Sequence, residues 1–183
     1  MIKLHNSLPN TITVGGREFL VKTDFRYWLV FDEIVSKGKF QLGEVAFIFE
    51  DEVPKCNYIN ELMEFFNNPN STPRKTKGGS TRVLDFQEDG EYIYASFMSA
   101  YGIDLLDEDL LMHWHQFKAL VMGLPKGTIM SEIMSIRGYK KSKDKIDKMY
   151  EDQKRAWALP ESKTNREEEE ELEQQLSEIF YNA

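Results

Sequence analysis

Residues Arg82–Tyr139 read RVLDFQEDGEYIYASFMSAYGIDLLDEDLLMHWHQFKALVMGLPKGTIMSEIMSIRGY, and the reading of this stretch decides the fold. Three helical patterns follow one another in it, broken by YGID and by GLPKGT. In the first, Asp85 caps or opens a helix with an apolar stripe of Phe86, Ile93, Phe97 and Ala100 or Tyr101. Gly90 falls on the same side, where a glycine costs about 1 kcal/mol relative to alanine, so it predicts a close backbone crossing. Asp85, Asp89, Tyr92 and Ser96 form the opposite edge. Gly102 ends this helix, and Asp104 or Asp107 caps the next, faced by Leu110, Trp114, Phe117, Val121 and Leu124. Gly123, Pro125 and Gly127 stop it. Thr128 then caps a third helix to Arg137, with Glu132 near the capping-box position and Ile129, Ile133, Met134 and Ile136 as its apolar residues. The aromatic mass of the stretch places the core here.

Upstream, TITVGGREFLVKT carries two alternating runs around Gly15-Gly16, a pair that tolerates positive φ, and predicts a β-hairpin over residues 8–22. An isolated hairpin is marginal, so it must lie on helices. Thr23 or Asp24 caps a helix from Phe25 to Ser36 whose apolar residues run almost all the way round, which predicts near-complete burial. Gly38 stops it. Gln41–Glu50 fits helix or strand by its pattern, and helix is preferred. Asn57–Asn67 reads as helix, and the Pro, Gly, Ser and Asn-rich segment 67–81 as a mobile loop. Downstream, Lys140–Trp157 is a more polar helix. Eight bases and four acids lie between Arg137 and Arg155. Leu159-Pro160 closes a domain over residues 1–160, and residues 161–183 form an acidic amphipathic tail. The fold expected is mainly α (α+β): the hairpin packed on a bundle of about six helices, with an acidic C-terminal helix.

The totals exclude several classes. Apolar residues at 41% and aromatics at 13% are globular values. The single Cys56 cannot form an internal disulfide, which points to a reducing compartment. The opening residues show no signal-peptide pattern, and no apolar run is long enough to span a membrane. The tail holds −6 of the net −8, leaving a body at −2, which argues against nucleic-acid binding.

Candidate chemistry is thin. His113 and His115 flank Trp114. On a helix, residues two apart do not share a face, so His113 should border the stripe, His115 should point outward, and a shared metal is disfavoured. Asp85, Glu88 and Asp89 offer carboxylates for a divalent cation or for acid–base work, but no histidine or lysine accompanies them. Acids near a helix start also suit the macrodipole. No phosphate loop, nucleophile elbow or dinucleotide fingerprint occurs. No catalytic, cofactor or metal residue is therefore assigned, and the protein is not expected to be an enzyme. The tail is more suggestive. Leu172, Leu176, Ile179 and Phe180 share one face of EEEEELEQQLSEIF, a helix too short and too charged to stand alone. That face is the first candidate for partner binding, and the aromatic hairpin face is the second.

At four places the chain resembles the bacteriophage gene-product-fifteen family: TVGGREFLVKTDFRYWLVFDEI, RVLDFQEDGEYIYASFMSAYGIDL, LMHWHQFKALVMGLP, and IMSIRGYK with the lysine-rich helix that follows. It departs from the family pattern at Gly90, where alanine is expected, and at His115, where an aromatic is common. The resemblance implies a protein encoded beside the tail tape-measure gene. It implies a tail assembly chaperone that binds the tape-measure protein, helps tail-tube protein to polymerise, works in the host cytoplasm and is absent from the mature virion. It carries no catalytic residue. A homo-oligomer is compatible with that role, and a structural role in the tail or at the head–tail joint stands as the alternative.

Overall fold

The computed structural model describes residues 7–67, 82–139 and 147–160. The expected loop over 67–81, the start of the lysine-rich helix and the acidic tail with Leu172, Leu176, Ile179 and Phe180 lie outside the described residues, Asn67 excepted.

The chain opens with β1 (Thr11–Val14) and β2 (Arg17–Leu20), antiparallel, with Ile12 opposite Phe19 and Val14 opposite Arg17. Gly15 and Gly16 have φ of +59° and +82°, the two left-handed residues that a tight hairpin turn requires. Alternation sends Ile12, Val14 and Phe19 into the core. Beyond β2 the extended chain pairs Val21 with Phe49 and Asp24 with His113.

Helix α1 (Phe25–Ser36) begins where the Asp24 side chain accepts the Arg26 N–H at 3.0 Å. Phe25, Trp28 and Phe31 are buried at three-residue spacing, and the Trp28 indole donates to the Lys22 carbonyl at 2.8 Å. Burial is one-sided rather than complete: Tyr27 and Val30 keep 40% and 46% of their surface, because nothing among the described residues covers the outer face.

The ambiguous segment after α1 is a 3₁₀ helix, Leu42–Ile48, with the Glu44 carboxylate accepting the Gln41 N–H. It is helical as preferred, but tight and short. The reason lies at its end, where the Ile48 carbonyl accepts from Lys22 and Phe49 must turn extended to pair with Val21. Helix α2 (Ile59–Asn67) is capped by the Asn57 side chain, with Tyr58 buried before it and donating to the Leu42 carbonyl.

Helix α3 (Gly90–Tyr101) begins later than the pattern suggested. Asp85 instead caps a preceding turn by accepting the Gln87 and Glu88 N–H groups at 2.8 and 3.2 Å. No backbone crosses at Gly90, where a methyl group would meet nothing within 4 Å. Gly102, at φ +64°, closes the helix.

Helix α4 (Trp114–Met122) also starts late. His113 is held extended because Phe25 N–H donates to the Met112 carbonyl and Trp114 N–H to the Thr23 carbonyl. Helix α5 (Ile129–Gly138) buries Met130, Ile133 and Arg137, while Ile129 is exposed. At its start Glu132 reaches the Gly127 N–H, and Thr128 bonds the Pro125 carbonyl rather than completing a capping box. Helix α6 (Asp147–Ala156) follows.

The core is a chain of rings drawn from both halves of the sequence, not from residues 82–139 alone. Trp28 stacks on Phe65 at 4.6 Å and on Trp114 at 6.4 Å, Trp114 on Phe66 at 4.8 Å, and Phe117 on both Phe25 and Phe97. Such pairs contribute about 0.5–1.5 kcal/mol each beyond the area they bury. Trp28→Ala is expected to cost about 3–5 kcal/mol. Val30→Ser on the open face of α1 should stay within about 0.5 kcal/mol of wild type. Urea midpoints of the two variants check this.

Candidate interaction surface and the polar clusters beneath it

The carboxylates singled out in the sequence are committed by the fold to different partners. Asp89 is fully buried and accepts two bonds from the Arg137 guanidinium, at 2.5 and 2.9 Å, as well as the Asp85 N–H at 2.9 Å. Asp85 is buried beside Arg82 at 2.7 Å, and Glu88 is exposed. Arg137 also donates to the carbonyls of Val83 and Trp157, at 3.2 and 2.6 Å. Among the described residues no three His, Cys, Asp or Glu side chains are grouped to hold a metal ion.

The edge of Asp85, Asp89, Tyr92 and Ser96 therefore faces inward. Ser96 Oγ accepts the Met130 N–H at the start of α5, and the Tyr92 ring meets Trp157 edge-on at 5.5 Å. This polar line is the seam that joins α3 to α5 and to the end of α6. Arg137→Ala should cost about 3–5 kcal/mol, because Asp89 would remain buried without its counter-charge. The segment 147–157 should become cleavable in limited proteolysis before the rest of the chain unfolds.

The histidines differ from the sequence expectation as well. His113 is the residue before α4, in extended backbone. Its Nδ1 accepts the His115 N–H at 3.0 Å, so its Nε2 is the nitrogen that donates to the Pro9 carbonyl at 2.9 Å. His115 does not point outward. It is buried, its ring 4.7 Å from Phe65 and 5.1 Å from His113. Phe65, near the end of α2, covers this second side of α4. The His115 Nδ1 has no hydrogen-bond partner among the described residues. Burial, and then the charges of His113 and Lys118, hold its pKa down to about 4.

Folded His115 thus refuses a proton that the unfolded chain accepts near its ordinary pKa of 6.5. The stability it allows is present above 6.5 and lost as pH falls toward 4. His115→Phe fills the same aromatic niche without a titrating nitrogen. The difference in urea midpoint between variant and wild type should grow in favour of the variant from pH 7 to pH 4.5.

A third cluster has no sequence signal, because its members lie far apart in the chain. Lys118 donates to the Phe66 and Asn67 carbonyls at 2.5 and 3.1 Å and lies 5.4 Å from the Trp114 and Phe66 ring centres. Burial pulls its pKa down to about 8, with Asp32 opposing. Asp32 is pushed up to about 6 by burial, against the charges of Arg82 and Lys118. An ammonium and a carboxylate shifted toward neutrality would suit proton transfer. Here, however, the ammonium is committed to the C-terminal carbonyls of α2, where a cation also suits the helix dipole.

Of the two partner surfaces expected, the tail face lies outside the described residues, and the aromatic hairpin face is consumed by the core. Ile12, Val14 and Phe19 are buried, and Phe19 meets Phe49 edge-on. What the fold presents instead is an apolar strip on α1. Tyr27 lies 6.5 Å from the half-buried Phe47 of the 3₁₀ helix, with the Lys22 ammonium 4.8 Å from its ring centre. Val30 continues the strip one turn along, and Leu20, exposed on β2, precedes Lys22 on the same side by alternation.

A hairpin seated on short helices around a core of stacked rings defines a mainly helical α+β domain with an aromatic strip left open on α1. The family model described as Bacteriophage Gp15 protein matches residues 4–159, and the chain belongs to that family of phage proteins. No curated protein and no solved structure matches it. No helix among the described residues is long and apolar enough to cross a membrane.

Proposed function

We propose that the chain is a phage tail assembly protein. On this reading it acts as a chaperone: it binds the tape-measure protein in the host cytoplasm, keeps that long apolar helix soluble, and releases it as tail-tube protein polymerises around it. Membership of the Bacteriophage Gp15 family carries the reading. The strip of Tyr27, Val30 and Phe47 supports it, because a chaperone for an amphipathic helix needs exposed apolar surface on a rigid frame. The tail face of Leu172, Leu176, Ile179 and Phe180, set among glutamates, would add a second contact and keep the complex soluble. The protein does its work by binding, leaves its partner chemically unchanged, and stays out of the finished virion.

Co-expression with the tape-measure protein of the same phage tests this. The tape-measure protein is expected in the soluble fraction, bound to this chain. Tyr27→Ser with Val30→Ser, or serine at Leu172, Leu176, Ile179 and Phe180, should reduce its recovery. A tape-measure protein equally insoluble with and without this chain, or stoichiometric copies of this chain in purified virions, would overturn the proposal.

A further inference from the structure

A different part of the surface carries a second, more specific reading. Between α3 and α4 runs the sequence DLLDEDLL, residues 104–111. Leu106 and Leu111 are 75% and 88% exposed, while their neighbours Leu105 and Met112 are buried. Single exposed leucines are common on surfaces and mean little. These two are unusual because the backbone that presents them is fixed.

Asp104 accepts the Leu106 N–H on its side chain, and Asp107 accepts that of Asp109. Two successive turns close through Asp107 N–H to the Asp104 carbonyl and Leu110 N–H to the Asp107 carbonyl. Arg26 reaches from α1 to hold the carbonyls of Asp107 and Leu110 at 2.5 and 2.9 Å. Met112 N–H donates to the Asp24 carboxylate, and the Met112 carbonyl accepts from Phe25. The leucines are therefore held out in water by the fold.

Charge selects the occupant. Asp104, Asp107, Glu108 and Asp109 are all exposed, and no base lies between residues 104 and 111. A symmetric pairing of this surface with its copy would set four carboxylates against four, which like-charge repulsion opposes. An acidic or neutral helix gains only the apolar term. A helix with lysine or arginine on both sides of an apolar stripe gains both.

We infer that the segment from Asp104 to Leu111 is a docking surface for a basic amphipathic helix of another polypeptide. Leu106 and Leu111 enter its apolar stripe, and the four carboxylates meet its cations. For the identity of that polypeptide the inference rests on the chaperone reading, in which it is a lysine- or arginine-flanked stretch of the tape-measure helix. The chemistry of the surface does not depend on that reading.

The test uses the full chain and a synthetic helix about 20 residues long, about 30 Å, with a leucine stripe bordered by lysines. Its counterpart carries glutamate in place of lysine. Fluorescence anisotropy reads binding to wild type, to Leu106→Ser with Leu111→Ser, and to Glu108→Gln with Asp109→Asn. These side chains are exposed, and no bond described above uses the Glu108 or Asp109 carboxylate. Circular dichroism confirms that each variant is folded.

The expected result is binding of the lysine helix that falls roughly a hundredfold in the double-leucine variant, the scale of two leucines left unburied. The charge variant should lose severalfold, and added salt should weaken the wild-type complex. Unchanged binding in both variants would place the helix elsewhere, for example on the acidic tail, and overturn the inference. Equal binding of the glutamate helix would also overturn it, as would loss of a homodimer as the only effect of the leucine change. Binding of the lysine helix at this surface, together with no effect on tape-measure solubility in co-expression, would keep this inference and remove the chaperone reading.

Discussion

Asp24 and His113 hold the molecule together by pairing two extended residues across a gap of almost ninety positions. On either side of that bridge Phe25 donates to Met112 and Trp114 to Thr23. The Asp24 side chain caps α1 and accepts from Met112, so one carboxylate fixes both the start of a helix and the segment that leads into another. Helix α4 starts at Trp114 because His113 is held in this pairing. That start point puts Trp114 beside Trp28, turns His115 under Phe65, and sets Lys118 at the end of α2. Shifting the bridge by one residue would rotate each of these side chains about 100° around α4. A backbone pairing of six residues, Thr23 to Phe25 with Met112 to Trp114, thus fixes the register of the aromatic core.

The second half depends on a different kind of contact. Arg137 joins Asp89, the Val83 carbonyl and the Trp157 carbonyl, and so ties together the entry to α3, helix α5 and the end of α6. Desolvating two charges is expensive, and a buried pair of this kind commonly returns little net stability. Its value lies in geometry. The guanidinium has donors in a fixed fork, and two of its three partners are the backbone carbonyls of Val83 and Trp157. Apolar packing alone would allow α5 and α6 to slide, whereas a fork with three assigned acceptors admits one arrangement.

What the sequence made legible was whatever depended on neighbours in the chain. The hairpin follows from Gly15-Gly16, and α1 from Asp24 and the spacing of Phe25, Trp28 and Phe31. Element type was readable for α2, α4 and α5 for the same reason. The starts of α3 and α4 were not, because periodicity continued past points where Asp85 and Thr23 redirect the backbone groups. Asp89 and Ser96 stood out only as the edge opposite the apolar stripe, because their partners, Arg137 and Met130, lie 48 and 34 positions away. His115 looked solvent-facing because the ring that covers it, Phe65, lies 50 positions away and packs on a second side of α4. The departure noted there was informative all the same: the site is lined by Phe65, and an aromatic is what such a niche suits. Of the candidate contact surfaces, only the hairpin could be judged within the described residues, and its aromatic face belongs to the core.

These placements share a physical logic. Polar side chains that could have carried chemistry are drawn into internal bonds: Asp89 to Arg137, His113 to Pro9, Lys118 to the end of α2. Apolar side chains that could have joined the core are held outside it by elements whose backbones are pinned by hydrogen bonds. Val30 cannot turn inward because α1 already offers Phe25, Trp28 and Phe31 to the rings of α2 and α4. Leu106 cannot turn inward because Asp104 and Arg26 fix the turns around it. Burying a side chain releases water, and a protein leaves that gain unrealised at fixed positions only at a cost in its own stability and solubility. The carboxylates beside Leu106 and Leu111 offset the solubility cost while the surface is free. An occupant that brings positive charge with its apolar face would gain more there than a neutral one.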